Sequence, residues 1–218
     1  MSIFSRTPTT LPNADEALPG RETRTFAVAD KHAVLDAPVI TDEIPEGFEV
    51  ALFGLGCFWG AEEIYWQIPG VWSTSVGYAG GVTPNPTYEE VCTGRTGHTE
   101  AVRVVYDPAR VSYGDLVKKF FEVHDPTQGM RQGNDVGTQY RSAIYYTTPE
   151  QEQVARELTK VYGDELHRQR IGDITTEIRP VSEITYYYAE DHHQQYLAKN
   201  PFGYRCHANT GIRFPETA

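Results

Sequence analysis

Cys57 stands in GLGCFWG (54–60), between glycines and ahead of two large aromatics. The apolar positions Phe58, Ala61, Tyr65 and Ile68 follow one face of a helix that Pro69-Gly70 stops, so the thiol falls at a helix N-terminus. Unpaired backbone N–H groups there stabilise an anion and lower a thiol's pKa. The chemistry this offers is nucleophilic or redox work by a thiolate. No Lys or Arg occurs between Lys31 and Arg95, and Glu62 and Glu63 are expected in the first helical turn. We therefore expect a modestly lowered thiol pKa, with activation completed when substrate binds.

Competing readings of the stretch are weaker. A dinucleotide fingerprint also follows a strand and opens a helix, but Phe58 and Trp59 would crowd a pyrophosphate. No Asp or Glu lies between Glu63 and Glu89 to hold a ribose hydroxyl. GYAGG (77–81) is not followed by Lys-Ser or Lys-Thr and makes no phosphate loop. Cys92 in YEEVC reads as a buried apolar position, the usual state of a free cysteine. His192 and His193 suggest a metal pair, but adjacent helical residues project about 100° apart. We read them as structural groups and expect no metal.

The elements that must position Cys57 follow from periodicity. FEVALFGLG (48–56) is a short buried strand, VWSTSVGY (71–78) a second and the alternating AVRVVYD (101–107) a third. Ser112 with Asp115 caps a helix burying Leu116, Phe120 and Val123. Thr148, Pro149 and Gln151 start another helix that runs to about Gln169, after the strand SAIYYT. TTEIRPV, with Pro180, is an edge strand, and a short helix is expected near 189–198. Turn-rich loops fill 79–100 and 124–141. The order βαββαβ predicts an α+β fold, a two-layer sandwich with a ferredoxin-like core and mixed sheet. Residues 1–46, punctuated by five prolines, read as an extended arm with a frayed tip. Residues 47–218 form one domain, ending in a mobile C-terminal tail.

Composition narrows the function class. The chain has 218 residues, 30 acidic against 19 basic, for a formal charge of −11. That argues against nucleic acid and anionic membranes as partners. No apolar run approaches the roughly 18 to 20 residues of a bilayer span, and the first residues lack an apolar signal core. A cytoplasmic monomer is expected. The three cysteines, Cys57, Cys92 and Cys206, form no CxxC pair, so any disulfide in a reducing compartment would be transient and catalytic.

Four long motifs then carry a resemblance. GCFWGAE (56–62), GYAGG with PTYEEVCTGRTGHTEAVRVVYDP (77–108), HDPTQGMRQGNDVGTQYRS (124–142) and AEDHHQQYLAKNPFGY (189–204) together resemble the A-type peptide methionine sulfoxide reductases, which act on the S epimer. The likeness covers about residues 48–212. It implies that Cys57 attacks the sulfoxide sulfur and becomes a sulfenic acid, and that Glu100 in GHTE protonates the oxygen. Burial should raise the pKa of such an acid. By the same resemblance Tyr88 and Tyr140 donate to that oxygen, Asp135 orients the polar side of the pocket, and Phe58 and Trp59 wall in the S-methyl group. Cys206 is the candidate to resolve the sulfenic acid as a disulfide, for which the tail must swing over the site. Thioredoxin or another dithiol would then act as external reductant, with no bound cofactor.

One departure stands out. In many members the resolving cysteine directly follows NPxGY and another cysteine lies farther on; here Arg205 intervenes and no cysteine follows Cys206. A three-cysteine relay through the tail is thereby excluded, and Cys92 is the weaker alternative partner. The rivals in other classes are a module that only binds methionine-like side chains in the Phe58 and Trp59 cage, and a Cys-His hydrolase with His98 as base.

Overall fold

The computed structural model describes residues 8–206 and 208–216. A strand β1 (Glu49–Leu55) leads into helix α1 (Phe58–Trp66), followed by β2 (Val71–Ala79), a short α2 (Tyr88–Cys92), β3 (Thr99–Tyr106) and α3 (Tyr113–Val123). A two-residue hairpin, β4 (Arg131–Gln132) and β5 (Asp135–Val136), precedes β6 (Ser142–Tyr146) and the long α4 (Pro149–Arg168). β7 (Glu177–Pro180), β8 (Tyr186–Tyr188) and α5 (Tyr196–Lys199) complete the chain.

Six strands form one mixed sheet in the order β7-β6-β1-β3-β2-β8. All neighbours are antiparallel except β6 and β7. The class is α+β. β7 lies at the sheet's edge, where Pro180 removes no ladder bond the sheet needs. On one face Phe53 stacks on Tyr65 of α1 at 5.2 Å and packs against Phe120 of α3 at 5.5 Å. Tyr162 and Leu166 of α4 close that core, both fully buried. The opposite face buries Leu52, Ala101, Ala143 and Tyr145 under Val181, Ile184 and Tyr186.

Helix ends match their caps. The Ser112 hydroxyl accepts from Asp115 N–H, and the Thr148 hydroxyl from Gln151 N–H with Pro149 in the first turn. Other boundaries differ from expectation. The 79–100 segment contains α2, because Thr87 and Glu90 form a reciprocal capping box. The helix expected over 189–198 is reduced to α5, since Gln195 takes a left-handed conformation, φ +46°. Its backbone N–H and side-chain amide both turn to the buried Glu62 carboxylate. Glu62 and Glu63 lie beyond the first turn of α1, which carries no acidic residue.

Residues 8–48 lie along the domain. The Arg21 guanidinium grips Glu90 through two hydrogen bonds, and the Ser73 hydroxyl donates to Pro38 O at 2.6 Å. His32 is buried; its Nδ1 accepts from Val34 and Leu35 N–H, which leaves the proton on Nε2. That N–H donates to Thr74 Oγ1 at 2.8 Å, and the threonine donates to Glu62 at 3.0 Å. The frayed tip expected of the arm falls on residues 1–7, outside the described residues.

Candidate active site

Cys57 caps α1, two residues after the end of β1, with Gly56 between. Gly56 makes this turn possible: φ is +91°, and a Cβ there would lie 2.7 Å from the Gln132 side chain. The helix's first N–H, from Phe58, donates to Glu100 Oε2 at 2.9 Å. Glu100 comes from β3, opposite Tyr78 in the sheet register, and is 1% exposed. Thiol and carboxyl therefore share one helix terminus.

Their proton affinities are set by that burial. Desolvation drives the Glu100 pKa up to about 8, with the Asp135 charge adding and Phe58 N–H opposing. The Cys57 thiol is also pushed up, by burial first and then by Glu100, while Trp59 N–H works the other way. The modestly lowered thiol pKa expected from the helix end is thus overturned. The helix terminus spends its first N–H on the carboxylate, and exclusion of water outweighs what remains of the dipole.

Three more groups converge from separate elements. Tyr88 opens α2; its N–H donates to Glu190 Oε1 at 2.8 Å, and Tyr78 Oη donates to Glu190 Oε2 at 2.7 Å. Its phenol pKa is raised, by burial first and then by the Glu100 and Cys92 groups. Tyr140 ends a 3-10 turn, Thr138–Tyr140, where burial and the Glu100 and Tyr88 groups raise its phenol pKa. Asp135 of β5 is raised by burial and stabilised as the anion by Tyr204 and Cys206, with Tyr204 Oη donating to Oδ2 at 3.1 Å.

Aromatic rings enclose this polar cluster. Phe58 is 1% exposed and packs on Tyr78, Tyr88 and His193. Trp59 stacks on Tyr196 with ring centroids 3.8 Å apart, and its Nε1–H donates to His193 Nδ1 at 3.1 Å. The tail already lies against the site: the Cys206 thiol donates to Gln132 O at 3.6 Å. All three cysteines are free thiols. Cys57, Phe58, Trp59, Tyr88, Glu100, Asp135, Tyr140 and Cys206 are thus brought together from eight sequence-separated or adjacent positions.

The sequence profile of the family described as peptide methionine sulfoxide reductase matches residues 49–216. The chain belongs to this family. A peptide methionine sulfoxide reductase MsrA from Rhodospirillum centenum is 58% identical over 215 residues, covering 99% of this chain and 96% of that one. One from Salinispora arenicola is 58% identical over 207 residues, 94% of this chain and 92% of its own. Among solved structures, methionine sulfoxide reductase A of Corynebacterium diphtheriae superposes with a TM-score of 0.85 at 51% identity, covering 95% of this chain and all of that one. Reduced Mxr1 from Saccharomyces cerevisiae gives 0.67 at 33% identity, over 76% of this chain and 92% of its own. The chain is accordingly an A-type peptide methionine sulfoxide reductase, an oxidoreductase.

Within this reductase, His98 cannot serve Cys57 as a hydrolase's base. Its Nδ1 accepts from Gly81 N–H, its Nε2 donates to Thr83 O at 2.7 Å, and burial lowers its pKa to about 4. Cys92 ends α2, one turn after Tyr88, and is half-buried, less enclosed than expected of it. His193 supports Trp59 and packs, tilted, against Tyr88 with ring centroids 4.3 Å apart. Among the described residues no three His, Cys, Asp or Glu side chains converge as a metal site. Sequence reasoning missed Glu190, Gln132, Tyr196 and Tyr204; spacing offered a hint only for His193 and Tyr196, three apart on one helical face.

Proposed function

We propose that the site reduces the S epimer of methionine sulfoxide, free or in peptides and proteins, as a repair enzyme against oxidative damage. The observation that supports this most is the pairing of Cys57 with a buried Glu100 whose pKa of about 8 keeps it protonated near neutral pH. A sulfoxide sulfur accepts a nucleophile only as its oxygen gains a proton, so the acid must stand beside the thiol. Phe58 and Trp59 form the apolar wall that takes the S-methyl group, with His193 and Tyr196 holding the indole.

In this mechanism Cys57 attacks sulfur as a thiolate while Glu100 gives its proton to the oxygen, and Tyr88 and Tyr140 donate to the same oxygen. Asp135 orients the polar side. The sulfur–oxygen bond breaks, methionine leaves and Cys57 becomes a sulfenic acid. Cys206 then condenses with it, forming the disulfide and releasing water. Thioredoxin or another dithiol returns both cysteines to thiols, with no bound cofactor.

We read residues 47–218 as the catalytic domain and 1–46 as its arm. The strand order β6-β1-β3-β2, with α1 and α3 as the two crossovers, supports describing the core as ferredoxin-like. Among the described residues no helix is long and apolar enough to cross a membrane. The cytoplasmic, monomeric state is inferred from the acidic composition and cysteine usage.

An epimer-resolved assay with thioredoxin tests the proposal on wild type, Cys57→Ser and Cys206→Ser. The S epimer alone should turn over, Cys57→Ser should be inert, and Cys206→Ser should stop after about one equivalent of methionine. Reduction of the R epimer at an equal rate, or full activity of Cys57→Ser, would refute it.

A further inference from the structure

Arg205 is the residue by which this chain departs from the NPxGY-Cys arrangement, and the structure gives it a partner on α1. Its Nε donates to Glu63 Oε2 at 2.7 Å and a terminal nitrogen donates to Glu63 Oε1 at 2.8 Å. The other terminal nitrogen donates to Pro201 O at 2.9 Å and Gly203 O at 3.2 Å. The guanidinium therefore does two things at once. It pins the tight turn of NPFGY to itself, and it ties that turn, through a two-bond fork, to the helix whose first N–H groups surround Cys57.

The pair is partly shielded, with side chains 29% and 22% exposed. Cys206 is the next residue, and its thiol lies against Gln132 O. Among the described residues the tail is also held by Tyr204 on Asp135, by the Cys206 thiol on Gln132 O, and farther on by Thr210 and Ile212 on Tyr162 Oη. We propose that Arg205 and Glu63 are positioning residues for disulfide formation: a bidentate latch that holds the tail so that the Cys206 thiol stays beside Cys57. The inference rests on the reading of Cys206 as the resolving thiol.

The step served is Cys57–SOH plus Cys206–SH giving the Cys57–Cys206 disulfide and water. The two sulfurs must reach Cα separations of roughly 4.4–6.8 Å, so the rate depends on how much of the time the tail is confined near the site. The preceding reduction of the sulfoxide needs no part of the tail's ion pair. A latch therefore predicts a split between the two phases of one turnover.

The experiment is a reductant-free single turnover of the full chain on methionine S-sulfoxide, following methionine release and free-thiol loss separately. Glu63→Gln and Arg205→Ala should release methionine, with loss of the first thiol, as fast as wild type but lose the second thiol about five- to tenfold more slowly, the range a partly shielded bidentate pair can give. Arg205→Lys should fall between, because an ammonium cannot reproduce the fork. The exchange Glu63→Arg with Arg205→Glu should recover part of the loss. Glu63→Gln leaves the Arg205 charge next to Cys206, so slowing in that variant separates holding the tail from activating the thiol.

Unchanged thiol loss in both single variants, or methionine release slowed in step with it, would overturn the latch. Complete thiol loss in Cys206→Ser would instead overturn the assignment of Cys206, whatever the latch variants do.

Discussion

Replacing Glu100 with Gln should abolish activity and stabilise the protein, and the second effect carries the sharper test. The Glu100 carboxyl is displaced from its ordinary 4.5 to about 8, mainly by burial. The folded state holds a proton there that the unfolded chain has released, so stability falls as pH rises from about 4.5 to about 8. Each pH unit in that window costs about 1.4 kcal/mol. At pH 7 the penalty is about 3 kcal/mol, and above pH 8 it levels off near 5 kcal/mol. Gln carries no proton to lose, and its carbonyl oxygen can still accept the Phe58 N–H that now reaches Glu100 Oε2 at 2.9 Å. Urea unfolding of both reduced proteins from pH 4.5 to 9 should show nearly equal stability at the acid end. The variant should lead by about 3 kcal/mol at pH 7, which is roughly 6–12 °C in melting temperature for a chain of this size. Single-turnover methionine release should meanwhile drop by about 10²–10⁴. A stability gap that is the same at pH 5 and pH 8 would refute the reasoning, because it would mean that Glu100 is ionised in the folded state.

Three other outcomes follow from the same geometry. Iodoacetamide should alkylate Cys57 slowly at pH 7, with a titration midpoint above the ordinary thiol value that moves down in Glu100→Gln; a midpoint near 6 in wild type would contradict the burial argument. Gly56→Ala places a Cβ 2.7 Å from Gln132 at φ +91°, and should cost about 2–4 kcal/mol in urea unfolding, so full stability would show that the turn has other conformations. Thr74→Val breaks the chain from His32 to the buried Glu62; it should cost about 1–3 kcal/mol and speed limited proteolysis within residues 8–48, and an unaltered cleavage rate would mean that the arm is held elsewhere.

What could be read from sequence was what repeats with a short period or caps locally. The α3 and α4 starts were legible because Ser112 and Thr148 bond residues three positions on. The α+β class and the positions of β1, β2, β3 and β6 were legible from alternation and short apolar runs. α2 was hidden because its Thr87 and Glu90 box lies in a run otherwise rich in Gly and Pro, which reads as loop. α5 was overestimated because nothing local announces that Gln195 leaves the helical path to satisfy Glu62, 133 positions away. The same distance effect hid the charge balance at Cys57. A helix N-terminus promises a low thiol pKa, but Glu100, 43 positions on, arrives from β3 and takes the first N–H. Motif likeness nominated the eight candidate residues; the groups that hold them, Glu190, Gln132 and Tyr204, are read only from the fold.

The raised proton affinities of Cys57 and Glu100 suit the proposed reaction better than a resting thiolate would. Reduction of a sulfoxide by two thiols yields methionine, a disulfide and water, and the oxygen that leaves must collect two protons. A site with an ionised cysteine and an ionised glutamate would have to draw the first from solvent, into a pocket closed by Phe58, Tyr88 and His193. The folded protein instead holds the first on Glu100, next to the place where the oxygen will sit, and the second arrives with the Cys206 thiol. Glu100 shields the oxygen's developing charge by transferring its proton, and as it does so the groups around it change the balance at Cys57. The carboxylate that forms would again oppose a thiolate, but by then the sulfur has become bonded to the substrate and carries no charge to oppose. The order of events is thereby built into the electrostatics: attack and protonation must occur together, and a thiol with no sulfoxide in front of it stays protonated. An exposed low-pKa cysteine is oxidised by any peroxide that reaches it, whereas burial keeps this one protonated until a sulfoxide is in place to be attacked.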